Sequence, residues 1–222
     1  MFRIIYIDEY QDDIDDFLDY IEDKDSEGIF KVIPLFPMSS LDETIEKIFE
    51  NKPDAIVSDY KLNEYKTDIE YNVPYNGVGL LEKVLETKKD FPCFVMTSYD
   101  DEAIKSSQDV NVVYIKDILH GSEDNTSAKA NFVDIIQNQI IHYKKRIKDA
   151  ESELDTLISK SELEPLDSFE EERILDLERL IEESTDRKCK IPKQLKELPN
   201  LNKIHKMIDN TDELIKELKK ES

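Results

Sequence analysis

The chain predicts an α/β unit with a doubly wound parallel sheet, followed by an all-helical region. Three observations carry that expectation. Five short apolar segments alternate with amphipathic helical patterns across residues 1–120. The segments lack strict apolar–polar alternation, as strands do when helices cover both faces of a sheet. Beyond about Asn131 the apolar residues recur at helical spacing, and no glycine follows Gly121.

Each element has its own warrant. The strand segments are Arg3–Ile7, Lys31–Phe36, Ala55–Ser58, Cys93–Met96 and Val112–Ile115, all of ordinary strand length. Helical patterns fall between them at about Asp12–Asp23, Leu41–Asn51, Val78–Thr87 and Asp101–Ser107. Ser39 and Ser40 offer a cap for the second of these, with Glu43 three residues after Ser40 in capping-box spacing. Pro53 and Pro92 punctuate the entries into the third and fourth strands.

In the second half, Val133, Ile136, Ile140, Tyr143, Ile147, Ala150, Leu154 and Leu157 form a narrow seam at heptad spacing among charged residues. Pro165 interrupts it. A second run, Asp167 to Glu183, carries Ile174, Leu177 and Ile181. After a break around Pro192, a third run presents Leu201, Ile204, Ile208, Ile215 and Leu218. The expected division is 1–125 for the α/β unit and 126–222 for the helical region, with helices at about 128–160, 167–184 and 200–220. Periodicity sets neither partner nor oligomeric state, so an intramolecular bundle and a homodimeric coiled coil both satisfy the seam.

Composition excludes several classes. Charged residues make up 37% of the chain, and no stretch approaches the ~20 apolar residues of a membrane span. The net charge of −22 is spread as 28 acids against 12 bases in residues 1–120 and 24 against 18 in the remainder. Neither half offers the clustered cations that displace counterions from nucleic acid, so direct nucleic-acid binding is not expected. The short Lys144-Lys145-Arg146 run reads as a solvated helix face. Cys93 and Cys189 fit neither a zinc site nor a disulfide framework, and Met1-Phe2-Arg3-Ile4 lacks signal-peptide character. A reducing, cytoplasmic setting is the expectation. His120, His142 and His205 are isolated and lack metal spacing.

The informative residues stand at the strand ends. Arg3–Ile7 runs into Asp8 and Glu9, Ala55–Ser58 into Asp59, Cys93–Met96 into Thr97 and Ser98, and Val112–Ile115 into Lys116. In a parallel sheet these ends meet at one carboxyl edge, where open α/β folds place their sites. Taken singly, a strand-end Asp is a turn former or cap, and Lys116 a solvated end. Taken together, three carboxylates at one edge repel unless a hard cation neutralises them through oxygen ligands.

The first 120 residues resemble the receiver domain of two-component response regulators. The resemblance rests on five segments in order: Ile4-Ile5-Tyr6-Ile7-Asp8-Glu9, Pro53 to Asp59, Gly77-Val78-Gly79-Leu80-Leu81, Phe91 to Asp101, and Val113-Tyr114-Ile115-Lys116. It implies a flavodoxin-like, five-stranded doubly wound sheet. It also implies that Asp59 accepts a phosphoryl group from a histidine kinase or phosphotransfer protein. Mg²⁺ would be held by Asp8, Glu9, Asp59 and the backbone carbonyl of Lys61. Thr97 and Lys116 would contact the phosphoryl oxygens. Phosphoryl transfer asks the protein chiefly for positioning and charge neutralisation, and a carboxylate nucleophile needs no general base. The expected protein is a signalling phosphoacceptor rather than an enzyme. Its helices would bind a protein partner or a second copy.

The sequence also departs from the receiver pattern. Asp117 follows Lys116 where receivers usually have Pro, and the aromatic before the lysine is Tyr114 rather than residue 113, which is Val113. The connection from Asp59 to Gly77 is long and carries Tyr65, Asp68, Glu70, Tyr71, Pro74 and Tyr75; it reads either as a lid or docking loop or as a surface insertion. A pseudo-receiver scaffold, binding a partner without phosphorylation, is the competing reading. A haloacid-dehalogenase-type phosphatase is disfavoured, because Lys61 stands where such an enzyme needs a second acid.

Overall fold

The computed structural model describes residues 1–63, 72–97 and 131–185, together with the backbone of 113–115. The expected helices at Asp101–Ser107 and 200–220 lie outside the described residues, as do Ser98, Lys116, Asp117, His120, Cys189 and His205. So do Tyr65, Asp68, Glu70 and Tyr71 of the long connection.

The described order is β1 (Phe2–Ile7), α1 (Gln11–Lys24), β2 (Phe30–Leu35), α2 (Leu41–Glu50), β3 (Ala55–Asp59), α3 (Gly77–Thr87), β4 (Cys93–Thr97), β5 (Val113–Ile115), α4 (Phe132–Leu163) and α5 (Ser168–Ser184). Neighbouring strands run in the order β2-β1-β3-β4-β5 and every pair is parallel. Four of them are full strands of five or six residues. Of the expected strand Val112–Ile115, the described part is β5 over Val113–Ile115, pairing Val113 with Val95 and Ile115 with Thr97.

Local chemistry sets the turns between these elements. Asp12 and Asp13 sit in the first turn of α1 and Lys24 in its last, each complementing the helix dipole. Asp25 then accepts the amides of Ile29 and Phe30 through its carboxylate, and Gly28 takes φ +62° between them. A β-branched or bulky residue would resist that left-handed backbone. At α2, Ser40 Oγ accepts the Glu43 amide as expected of the cap, while Glu43 Oε2 accepts from Ser39 Oγ. Asn76 caps α3 by accepting the Gly79 amide at 2.8 Å. Asp54 accepts the Arg3 amide, and the Arg3 guanidinium donates to the Asn51 carbonyl, tying β1 to the entry of β3.

The sheet buries both faces. On one, Ile4, Tyr6, Ala55, Val57, Phe94 and Met96 pack with α1 (Ile14, Phe17, Ile21) and with the first turns of α4 (Phe132, Val133, Ile136, Ile140). On the other, Ile5, Ile7, Ile56, Cys93 and Val95 pack with α2 (Ile48) and α3 (Val78, Leu80, Leu81, Val84). This two-sided burial is why the strand segments show no alternation.

Two compact units divide at Lys144 and Lys145, inside α4, rather than near residue 125. The physical reason is the sheet core, which claims the first turns of that helix. Tyr143 lies edge-on to Phe91, and Lys144 pairs with Asp54 at 2.6 Å. In the second unit, Ala150 and Leu154 of α4 bury against Ile174, Leu177 and Ile181 of α5. The pairs Glu153–Arg173 and Lys160–Glu170 run in opposite sequence directions, so this is an antiparallel hairpin. Asp167 and Glu170 form a complete capping box at the start of α5. The heptad seam is therefore divided, with Val133, Ile136 and Ile140 covered by the sheet core and Ala150 and Leu154 by α5.

Candidate functional site

Strand register brings the expected residues to one edge. Ile7 of β1 pairs with Ser58 of β3, so Asp8 and Asp59 follow a matched pair on adjacent parallel strands. Asp59 pairs with Met96 of β4, and Thr97 is the next residue. Asp8 is fully buried; Asp59 and Thr97 are 7% and 1% exposed. Buried carboxylates this close to one another are costly unless they are hydrogen-bonded or neutralised.

Hydrogen bonds orient both acids. Asp8 Oδ1 accepts the Tyr10 amide at 3.0 Å, and Asp8 Oδ2 accepts the Tyr6 hydroxyl at 3.1 Å. Asp59 Oδ2 accepts the Lys61 amide at 2.6 Å. Glu9 is half-buried beside Asp8. Lys116 lies outside the described residues, although its predecessor Ile115 is the register partner of Thr97.

Backbone contacts lock the floor of the site. The Tyr60 amide donates to the Met96 carbonyl, and the Gly77 amide donates to the Tyr60 carbonyl. Ser58 Oγ donates to the Asp59 carbonyl at 3.0 Å. A Cβ on Gly77 would collide with that same carbonyl oxygen and crowd Ser58 Oγ. Only glycine lets the start of α3 approach Asp59 this closely. Further out, the Tyr75 hydroxyl meets Thr44 Oγ1 and donates to the Met38 carbonyl, anchoring the end of the long connection against the β2–α2 turn.

Sequence reasoning missed Tyr6. Its ring is wholly buried and stacked on Phe17, with centroids 4.1 Å apart and planes 7° from parallel. Burial first, then the charges of Asp8 and Asp59, raise the phenol's pKa far above its ordinary value, so it stands by these acids as a proton-bearing donor. The available signal was its position two residues before Asp8, on the same face of β1.

The arrangement offers hard oxygen donors. Among the described residues, no three His, Cys, Asp or Glu side chains gather as a metal cage. Two adjacent carboxylates nevertheless match Mg²⁺, which commonly takes one or two protein carboxylates and completes its shell with waters and phosphate oxygens. No described helix is long and apolar enough to cross a membrane.

Comparison with known proteins adds little. No family model matches the chain, and no curated protein matches it. A solved structure of the anti-anti-sigma factor PhyR from Bartonella quintana is similar at TM-score 0.43 and 12% identity. It covers 68% of this chain, and the match spans about half (51%) of that structure. A fusion containing a yeast Spc42 trimeric coiled coil is similar at TM-score 0.41 and 16% identity, covering 72% of this chain and 98% of that one. At these scores neither likeness decides function.

Proposed function

We propose that this protein is a phosphorylation-dependent signalling protein whose N-terminal unit is a receiver, accepting a phosphoryl group on Asp59. The observation that carries the reading is the burial of Asp8, Asp59 and Thr97 at the ends of three adjacent parallel strands. The strand order 2-1-3-4-5 is that of flavodoxin-like sheets, which place their sites at this edge.

In the proposed step an Asp59 carboxylate oxygen attacks the phosphorus of an acyl phosphate or a phosphohistidine. The new P–O bond forms as the bond to the leaving oxygen or nitrogen breaks, and the leaving group departs with that electron pair. Ionised Asp59 needs no base. The Lys61 amide fixes the orientation of its carboxylate. Asp8 and Asp59, with Glu9 and the Lys61 carbonyl, would hold Mg²⁺, which when bound neutralises phosphoryl charge. The Thr97 hydroxyl and the Lys116 ammonium would receive the remaining phosphoryl oxygens. Because α4 gives its first turns to the sheet core and its later turns to the hairpin, it is the natural element through which phosphorylation reaches the helices. The donor would be a histidine kinase or phosphotransfer protein, and the output a protein contact made by the helical region.

Incubation of the full chain with acetyl phosphate and Mg²⁺, read by intact mass, tests this. A single phosphoryl adduct on the wild type, absent from Asp59→Asn and lost with chelator, is the expected result. An unmodified wild type, or an adduct that survives Asp59→Asn, would move the protein to the unphosphorylated scaffold reading.

A further inference from the structure

We propose that Tyr6 is a positioning residue that fixes the Asp8 carboxylate as a ligand for a divalent cation, an inference that rests on the reading of the site given above. The geometry begins with the strand. Side chains two apart on β1 share a face, so Tyr6 lies directly behind Asp8 on the approach to the carboxyl edge. Its register partners are Pro34 of β2 and Val57 of β3, and its ring lies against Phe17 of α1. Held on these sides, the phenol has little freedom to swing its hydroxyl elsewhere.

A buried tyrosine needs a partner for its hydroxyl, and a main-chain carbonyl is the usual inexpensive choice. Tyr6 instead donates to a carboxylate of the site, at 3.1 Å on Asp8 Oδ2. The Tyr10 amide takes the other oxygen, Asp8 Oδ1. Two donors arriving on two oxygens from different elements fix both the side-chain direction and the carboxylate plane. A carboxylate oxygen can accept in two directions, so an orienting donor and a metal ion are compatible on one carboxylate. The arrangement is that of outer groups which orient metal ligands, whose loss typically weakens metal binding about 10–100-fold.

The test compares wild type, Tyr6→Phe and Tyr20→Phe as full chains, titrated calorimetrically with Mg²⁺ alone. Phenylalanine keeps the stack on Phe17 and removes only the donor. Tyr20→Phe removes another largely buried hydroxyl, the one that donates to Asn131 Oδ1 away from the site. The expected result is a Kd for Mg²⁺ raised about tenfold in Tyr6→Phe and unchanged in Tyr20→Phe, with labelling of Tyr6→Phe by acetyl phosphate restored at high Mg²⁺. Equal Mg²⁺ affinity in Tyr6→Phe and wild type overturns the role of Tyr6 while leaving Asp59 labelling of the wild type intact. Equal losses in both variants overturn it too, as general loosening. A wild type that neither binds Mg²⁺ nor is labelled overturns this inference and the phosphoacceptor reading together.

Discussion

The sheet unit and the hairpin that follows it are held by different means. In the sheet unit two apolar layers sandwich a parallel sheet, and the polar groups that matter are fixed by backbone amides and buried hydroxyls. In the hairpin, among the described residues, five buried apolar side chains form the seam, with Leu157, Ile158, Leu166 and Leu180 packed against them, and ion pairs flank it. The first construction fixes acidic side chains in place with little freedom. The second carries half-exposed ion pairs beside that seam, with Glu171 and Glu178 of α5 buried. The proposal of phosphoryl chemistry in the first unit and protein contact in the second draws on that contrast.

Three perturbations would break or sharpen that contrast. Ile174 is completely buried in the small hairpin core, so Ile174→Ala should cost about 4 kcal/mol there. Residue-level hydrogen exchange should show protection lost from Ala150 to Ile181 while β1 and β3 keep theirs. Equal loss in the strands would mean that the two units share one cooperative core. Gly77→Ala should have the next largest effect. Alanine is intrinsically better in a helix by about 1 kcal/mol, but here its Cβ meets the Asp59 carbonyl. Overpacking of this kind should leave a net loss of about 2 kcal/mol, confined to the sheet unit and visible by urea denaturation. A neutral or stabilising outcome would show that α3 can retreat from Asp59.

The smallest effect concerns pH. The Arg173 hydrogen bond holds the Glu153 carboxyl below its usual range. A carboxyl lowered in the folded state contributes stability above its unfolded pKa and loses it as pH falls through the folded value. The hairpin should therefore weaken modestly on acidification, and Arg173→Met should flatten that dependence. Both side chains are about half exposed, so added salt should shrink the difference as well. A hairpin whose acid sensitivity is unchanged in Arg173→Met would remove the ion pair from the account.

Much of this was legible in the sequence, for identifiable reasons. Strands buried on both faces announce themselves as apolar runs, so β1, β3 and β4 were expected nearly where they lie. Asp8, Asp59 and Thr97 follow from those strand ends. Tyr6 was not legible as a site residue because an aromatic in an apolar strand reads as core, and its hydroxyl has no sequence signature. The heptad seam was visible, but spacing cannot say what covers it. Phe132 to Ile140 went to the sheet and Ala150 and Leu154 to α5, which moved the boundary into the helix.

The hydrogen bond from the Gly77 amide to the Tyr60 carbonyl closes the base of everything between those two residues. It acts as a socket. Chain can be added or exchanged above it while Asp59 stays where the sheet holds it, and doubling such a loop costs only about 0.6 kcal/mol of closure entropy. The described ends of that loop are held by contacts of their own, Leu62 and Val73 in the core, Tyr75 on the β2–α2 turn and Asn76 as the cap of α3, so exchange there would disturb the edge itself.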